Sequence, residues 1–179
     1  REEFDQKMKG HQDLSRSSSE GMFKGGLANH NEQTIKLHTA HHLLLSALQQ
    51  VLGSEVKQRG SNITEERLRM DFAFERKMTD EEKVKVEEIV NKYITRGLNV
   101  VRREMPLTEA EKLGAEMEFG AKYPETVSVY FVEDENGDAI SKEFCGGPHV
   151  ENTSALGTFK IQKEEASSAG IRRIKAVLS

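Results

Sequence analysis

Residues 126–149 read TVSVYFVEDENGDAISKEFCGGPH, and this stretch decides the fold that the rest of the chain completes. Its first half alternates apolar and polar residues, which is the period of a half-buried strand. Asn136-Gly137 is a typical two-residue hairpin turn. The stretch therefore predicts two antiparallel strands, the second of which ends just before Cys145.

The same periodicity arguments extend outward to further strands and three helices. Asn29 with Glu32, and Thr79 with Glu82, resemble capping boxes that open two of the helices. The predicted strands are 68–74, 98–103, 126–132, 139–144, 158–162 and 171–178, and the predicted helices are 31–52, 79–97 and one that opens at 108. We therefore expect an α+β fold in which an antiparallel sheet carries helices packed on one face.

Two short motifs contain the residue types that bind transition metals. His38-Thr39-Ala40-His41-His42 places two imidazoles one turn apart on one face of a predicted helix, and Cys145-Gly146-Gly147-Pro148-His149 follows a predicted strand. Cys145 is the only cysteine, so an intramolecular disulfide is excluded. Thiolate and imidazole ligands favour Zn²⁺, and we expect a zinc site between helix and sheet.

Spacing alone leaves alternatives open. His38 shares a helix face with His41 as well as with His42. A histidine pair at this spacing is, by itself, more often ordinary surface or core than a metal site, and a lone cysteine is usually a small buried residue. The zinc prediction therefore depends on the two motifs together.

Composition limits the other possibilities. The 179 residues are 36% hydrophobic, which suffices for one core. Their net charge of −4 argues against a nucleic-acid binder whose whole surface is basic. No stretch approaches the roughly 18 apolar residues of a membrane span and no signal-peptide pattern is present, so we expect a soluble, cytoplasmic protein without a membrane partner. We divide the chain into a polar N-terminal helix and loop extension, 1–28, and a domain, 29–179. The start at Arg1 suggests a fragment of a longer protein.

Five blocks, in order along the chain, carry a family resemblance. They are Leu37-His38-Thr39-Ala40-His41-His42-Leu43-Leu44, Val56-Lys57-Gln58-Arg59-Gly60-Ser61, Leu68-Arg69-Met70-Asp71-Phe72, Ser141-Lys142-Glu143-Phe144-Cys145-Gly146-Gly147-Pro148-His149-Val150, and Gly157-Thr158-Phe159-Lys160-Ile161 with Gly170-Ile171-Arg172-Arg173-Ile174. Together they resemble the editing domain of alanyl-tRNA synthetase. The threonyl-tRNA synthetase editing domain shares the fold and the histidine and cysteine pattern, but the second and last blocks favour the alanyl version.

The resemblance implies an aminoacyl-tRNA deacylase, one module of an alanine-tRNA ligase. Its substrate would be tRNA(Ala) mischarged with serine or glycine, and its other partner the remainder of the synthetase. A pocket sized for alanine excludes glycine and serine poorly, which is why a second, hydrolytic site is needed. The resemblance also selects the zinc ligands, which would be His38, His42, Cys145 and His149, and makes His41 a neighbour of the site.

Further roles follow from the resemblance, each beside an ordinary structural alternative. Thr39 would sense the serine hydroxyl, and Gln58 would bind the substrate or the terminal adenosine. Gly146 and Gly147 would present backbone N–H groups to a developing oxyanion, although turn geometry explains them equally well. The candidate tRNA phosphate contacts are Arg69, Lys142, Arg172 and Arg173.

Two questions about the zinc remain open at the level of sequence. Four protein ligands are typical of a closed structural site, whereas a catalytic zinc keeps one position free. The zinc could therefore face the substrate, or it could stabilise a tRNA-binding module that has no catalytic activity. A zinc peptidase is disfavoured because Thr39 stands where H-E-x-x-H requires glutamate.

Overall fold

The computed structural model describes residues 27–118 and 121–179. Its helices are α1 (Glu32–Leu52), α2 (Asp80–Arg96) and α3 (Leu107–Lys112), with a short 3₁₀ turn at Thr153–Leu156. Its strands are β1 (Gln58–Ile63), β2 (Leu68–Ala73), β3 (Asn99–Pro106), β4 (Thr126–Glu133), β5 (Ala139–Phe144), β6 (Phe159–Ser168) and β7 (Ile171–Leu178). No helix in these two ranges is long and apolar enough to cross a membrane.

The predicted extension over 1–28 falls outside the described residues except at its last two positions. Leu27 is fully buried and forms a parallel bridge with Ile63, so it packs with the domain core. Ala28 donates a backbone hydrogen bond to the Ile63 carbonyl at 2.9 Å. The boundary proposed at residue 28 otherwise stays a prediction.

The described strands form two antiparallel sheets, one with the order β1-β2-β7-β6 and the other with the order β3-β4-β5. The predicted α+β class and the antiparallel pairing of all named strands are confirmed. The strands divide between two sheets because each sheet has its own apolar cluster to cover. The larger cluster lies between the long helices and the four-stranded sheet, and the smaller one lies between α3 and the three-stranded sheet.

Helix α1 is the central element of the molecule. Every residue from Leu37 to Leu48 is buried, so most of the helix has no solvent face. A helix surrounded on all sides must place its polar residues against protein partners. The three histidines of α1 are therefore held in the interior rather than displayed on a surface.

The four-stranded sheet has one covered face and one charged face. Met70 and Phe72 of β2 and Ile174 of β7 are fully buried against the helices. The alternate positions Asp71 and Arg173 point to the opposite face, where they form an ion pair. This alternation is the period of two that a sheet covered on one side requires.

The predicted starts of the two long helices lie close to the observed ones, but the cap of the first is a different residue. The N-cap of α1 is Asn31, whose side chain accepts from the Thr34 amide at 2.9 Å, and Asn29 lies outside the helix and accepts from the Asn31 amide. The predicted Thr79–Glu82 capping box at the start of α2 is confirmed, with both reciprocal hydrogen bonds formed.

The capping box gives a stability prediction. Thr79→Ala removes the side chain that accepts from the Glu82 amide, and we expect a loss of about 1 kcal/mol in the free energy of unfolding. Thr95→Ala is the matched control, because Thr95 lies exposed in the last turn of the same helix and caps nothing. Urea unfolding measures both variants. Equal midpoints for the two would contradict the assignment.

Candidate metal centre

Four side chains from two separate segments converge on one point. His38 and His42 project from one face of α1, and Cys145 and His149 come from the loop that follows β5. Their ligand atoms all lie within 4.8 Å of one another, and the Cys145 Sγ is 3.4 Å from the Nε2 of both His38 and His149. Ligands of a tetrahedral zinc, at about 2.0–2.3 Å from the ion, stand roughly 3.3–3.6 Å apart. The cluster can therefore hold a metal ion.

Each imidazole is oriented through its other nitrogen. The His38 Nδ1 lies 2.9 Å from the Pro148 carbonyl oxygen, and because that oxygen can only accept, Nδ1 donates and Nε2 keeps its lone pair. The His149 Nδ1 lies 3.0 Å from the Thr39 hydroxyl oxygen. Such partners fix the tautomer and ring angle of metal-binding histidines. The donor set is therefore arranged with Nε2 atoms facing inward.

Glu143 of β5 holds the third imidazole. Its Oε2 lies 2.7 Å from the His42 Nδ1, and both side chains are less than a tenth exposed. The contact is an ion pair whose N–H direction is poorly aligned for a hydrogen bond, so Oε2 has no well-aligned donor among the described residues. Burial opposes a charge on His42, but the carboxylate of Glu143 and the Cys145 sulfur outweigh it and raise the pKa of His42 to about 10.

The pKa of the Cys145 thiol is lowered, whereas that of His42 is raised. Burial opposes the thiolate, but hydrogen bonds from His38 and His42, together with their charges, lower the pKa of Cys145 to about 6. The thiolate is the form that binds metals. The surroundings of Cys145 therefore favour a metal ligand over an inert buried thiol.

Thr39 is a positioning residue in this geometry. Its side chain is fully buried, and its hydroxyl donates to the Ile35 carbonyl at 3.3 Å while it accepts from the Val150 amide at 3.1 Å. It thereby links α1 to the loop that carries His149. Thr39 is absent from the residues lining the adjacent pocket, so the predicted contact with a serine hydroxyl stays a prediction.

His41 is not one of the four converging side chains, whereas His42 is. The structure thereby distinguishes the two histidines, which the sequence spacing could not do. It is 3% exposed and lines the pocket beside the cluster. Burial, with the nearby His42 and His38, lowers the pKa of His41 well below its ordinary value. Burial therefore favours the neutral form of this imidazole in the pocket wall.

A pocket opens directly beside the cluster. It is lined by His38, His41, His42, Leu45, Gln58, Glu116, Met117, Glu118, Tyr123, Pro124, Thr126, Val127, Ser128, Glu143, Phe144, Cys145 and Gly146. Gln58 and Gly146 are among the lining residues, and the roles predicted for them stay predictions. Gly147 is not among the lining residues, and its N–H donates to the Cys145 Sγ at 3.3 Å, which occupies the donor proposed for an oxyanion.

The four basic residues predicted to contact tRNA are not among the residues that line the pocket, and they have different surroundings. Arg172 donates to Glu164 at 2.5 Å on the helix-covered side of β7, and the Lys142 ammonium donates to the Leu113 carbonyl at 2.7 Å. Arg173 donates through two nitrogens to the Asp71 carboxylate, at 2.7 and 3.0 Å. The Arg69 Nε is 3.8 Å from the same carboxylate.

Two carboxylates at the site, Glu143 and Glu116, were not predicted from the sequence. Glu143 lies on the same, buried face of β5 as Ser141. An acidic residue at such a position, two residues before Cys145, is the pattern that could have indicated its role. Glu116 accepts from Lys57 and Gln49, both at 2.9 Å, and thereby ties the pocket rim to α1. It comes from a loop without periodicity, and no pattern in the sequence marks it.

The contact between Glu143 and His42 gives a prediction for metal affinity. Glu143→Gln keeps the volume but removes the charge that orients the imidazole, and we expect zinc to bind about 10- to 100-fold more weakly. Glu133→Gln, on the neighbouring strand β4, removes an ion pair with Arg103 and should leave the affinity unchanged. Competition with a chromophoric chelator measures both. An unchanged affinity in the Glu143 variant would contradict the role.

Comparison with known proteins agrees with this geometry. Residues 127–175 match the family described as the threonyl and alanyl tRNA synthetase second additional domain. The chain is 56% identical over 178 residues to the alanine–tRNA ligase of Treponema denticola, and 57% identical over 175 residues to that of Borrelia garinii, covering 99% and 98% of this chain. The alanine–tRNA ligase of Listeria innocua is 49% identical over 145 residues, or 81% of the chain and 16% of that ligase.

The matches also define what part of these relatives the chain represents. It spans 29% of the length of the Treponema and Borrelia ligases. The matched family segment contains Cys145 and His149, and the longer matches extend over α1 with His38 and His42. The chain belongs to the alanyl-tRNA synthetase family, as a region that contains the threonyl and alanyl tRNA synthetase second additional domain.

Proposed function

We propose that this region is the editing module of an alanyl-tRNA synthetase and hydrolyses the ester that joins serine or glycine to tRNA(Ala). The observation that supports this most directly is that the metal cluster and the pocket share residues. His38, His42 and Cys145 are candidate ligands and also line the pocket. A metal ion held there would be in contact with a molecule that enters the pocket.

We further propose that the bound metal is zinc. Imidazole and thiolate are donors that Zn²⁺ prefers, and the Cys145 Sγ stands 3.4 Å from two imidazole nitrogens, a separation that suits a tetrahedral ion. When bound, Zn²⁺ supplies Lewis-acid chemistry toward an ester carbonyl or a water molecule. Glu143 and Thr39 hold the imidazoles so that little reorganisation is needed when the ion binds.

The remaining pocket residues act on the substrate in this proposal. The Gln58 amide can both donate and accept, so it suits the amino acid or the terminal adenosine. Gly146 lines the pocket without a side chain, so its backbone can approach the ester closely. The pocket has to admit small polar side chains only, because the synthetic site of the ligase already excludes larger ones.

The experiment is a deacylation assay on tRNA(Ala) charged with serine, glycine or alanine. We expect release of serine and glycine to exceed release of alanine, and we expect chelation of the metal to abolish the excess. Restoring Zn²⁺ should restore it. Equal background release from all three substrates by the zinc-loaded protein would refute the proposal.

One observation favours a second candidate, a zinc-stabilised tRNA-binding module without catalysis. Four protein side chains surround the centre, and they can fill all four positions of a tetrahedral ion. This candidate predicts that chelation unfolds the protein and abolishes tRNA binding, with no ester hydrolysis under any condition. The same assay, with circular dichroism recorded alongside, separates the two candidates.

A further inference from the structure

The outer face of the four-stranded sheet carries a cluster of basic side chains. We call it the outer-face cluster, and its members are Arg69, Lys160, Lys163, Arg173 and Lys175. Across the strand pairs, Arg69 stands opposite Lys175, and Lys175 stands opposite Lys163. Side chains directly opposite on one face are about 5 Å apart at Cβ, so these like charges are close neighbours.

Two carboxylates on the same face compensate the cluster only in part. Asp71 receives both hydrogen bonds of Arg173 and is also the acid nearest to Arg69. The Arg69 Nε has no hydrogen-bond partner among the described residues. Glu165 is shared in the same way between Lys163 at 2.9 Å and Lys175 at 3.7 Å. Five cations against two anions leave a positive surface on a chain whose net charge is −4.

The pKa of the neighbouring Arg67 is affected by the positive charge of the cluster. Burial, with the positive charges of Arg69 and Arg173, lowers the pKa of Arg67 despite the opposing effect of Glu66. Burial is the largest cause, and the positive charges of Arg69 and Arg173 add to it. An anion bound on this face would relieve the repulsion between these side chains.

The near end of the outer-face cluster and the pocket lie at the same end of the four-stranded sheet, on its opposite faces. Gln58, which lines the pocket, pairs with Phe72 at the end of the sheet where Arg173 is found. The next pair along is Gly60 with Asp71, the acid that binds Arg173. Phe72 is buried under the helices and Asp71 is on the outer face, so a nucleic-acid strand that joins the pocket to the cluster has to pass round the edge strand β1.

We propose that the outer-face cluster binds the sugar-phosphate backbone of the tRNA acceptor stem while the charged 3′ end occupies the pocket. This rests on the proposed function for its choice of RNA. The fit is one of charge, because a spread of lysine and arginine over a flat sheet suits a series of phosphates and no single small anion. It assigns Lys160, Lys163 and Lys175 to RNA binding beside Arg69 and Arg173. It leaves out Arg172, which lies on the helix-covered side of β7, and Lys142, which belongs to the other sheet.

The test is the salt dependence of tRNA(Ala) binding by the zinc-loaded chain. The double variant Arg69→Gln with Lys175→Gln keeps the Arg173–Asp71 pair and should preserve the fold. We expect weaker binding and a slope of log K against log salt that is smaller by about two. The matched control is Lys85→Gln with Lys92→Gln on the exposed side of α2, which should match the unmodified protein.

Kinetics provide a second readout that misfolding would not reproduce. On serine-charged tRNA(Ala), the double variant should show a raised KM and an unchanged kcat, because the cluster is remote from the ester. Binding and slope equal to those of the control pair would overturn the inference while leaving the deacylase proposal intact. Conversely, the unmodified chain could fail to hydrolyse the ester while the double variant still shows the smaller slope of log K against log salt. That result would support RNA binding by the cluster and refute only the deacylase proposal.

Discussion

Replacing Cys145 by alanine should leave the centre unable to retain a metal ion and should reduce ester hydrolysis to the background rate. The thiolate is the only sulfur donor of the cluster and lies 3.4 Å from two of the three imidazoles. Loss of a direct ligand should weaken zinc binding by more than the roughly 10- to 100-fold that follows loss of an orienting partner. The Gly147 amide would also lose its acceptor.

Metal content after dialysis and deacylation of serine-charged tRNA(Ala) measure the outcome. Ser46→Ala is a suitable control, because it removes a buried hydroxyl of α1 that donates to the Ile140 carbonyl and leaves all four ligands in place. It should keep one metal ion per chain. A Cys145→Ala protein that still bound stoichiometric zinc would show that the cluster is not the metal centre. Circular dichroism of the chelated protein separates loss of the ion from loss of the fold.

Local patterns in the sequence were sufficient for the elements that carry the site. The capping box at Thr79 and the helical apolar pattern of α1 are signals within a few residues, and the structure forms both helices there. The Asn136-Gly137 turn likewise joins β4 to β5. These elements place one metal-binding motif within α1 and the other directly after β5, so the sequence locates both halves of the site.

Features that depend on contacts between distant parts of the chain could not be predicted from local sequence patterns. Nothing in a strand's own sequence states which of two sheets it joins, because that choice depends on which helix covers it. The Thr39 hydroxyl lies 3.0 Å from the Nδ1 of His149, 110 residues further along the chain, and only the folded chain shows this contact. Equally, the difference between Arg172 and Arg173 arises from their opposite sheet faces.

The two adjacent glycines of the metal loop should respond very differently to the same substitution. Gly147 has φ of +72°, where an L side chain is strained by about 1–3 kcal/mol. A Cβ there would also overlap the Tyr130 hydroxyl and stand 3.0 and 3.1 Å from two atoms of its ring. At Gly146, φ is not positive and a Cβ meets no atom within 4 Å. Gly147→Ala should therefore destabilise the protein and Gly146→Ala should not.

The strain at Gly147 should reach the metal centre through one ring contact. Tyr130 packs edge-on against His149 with ring centroids 4.4 Å apart, so a displaced tyrosine moves a candidate ligand. We expect Gly147→Ala to weaken zinc binding as well as stability, and adding Tyr130→Phe to recover part of both, since it removes the hydroxyl that the new Cβ meets. Chelator competition and urea unfolding measure the two effects. If Gly146→Ala and Gly147→Ala weaken zinc binding equally, the loop does not position His149 in this way.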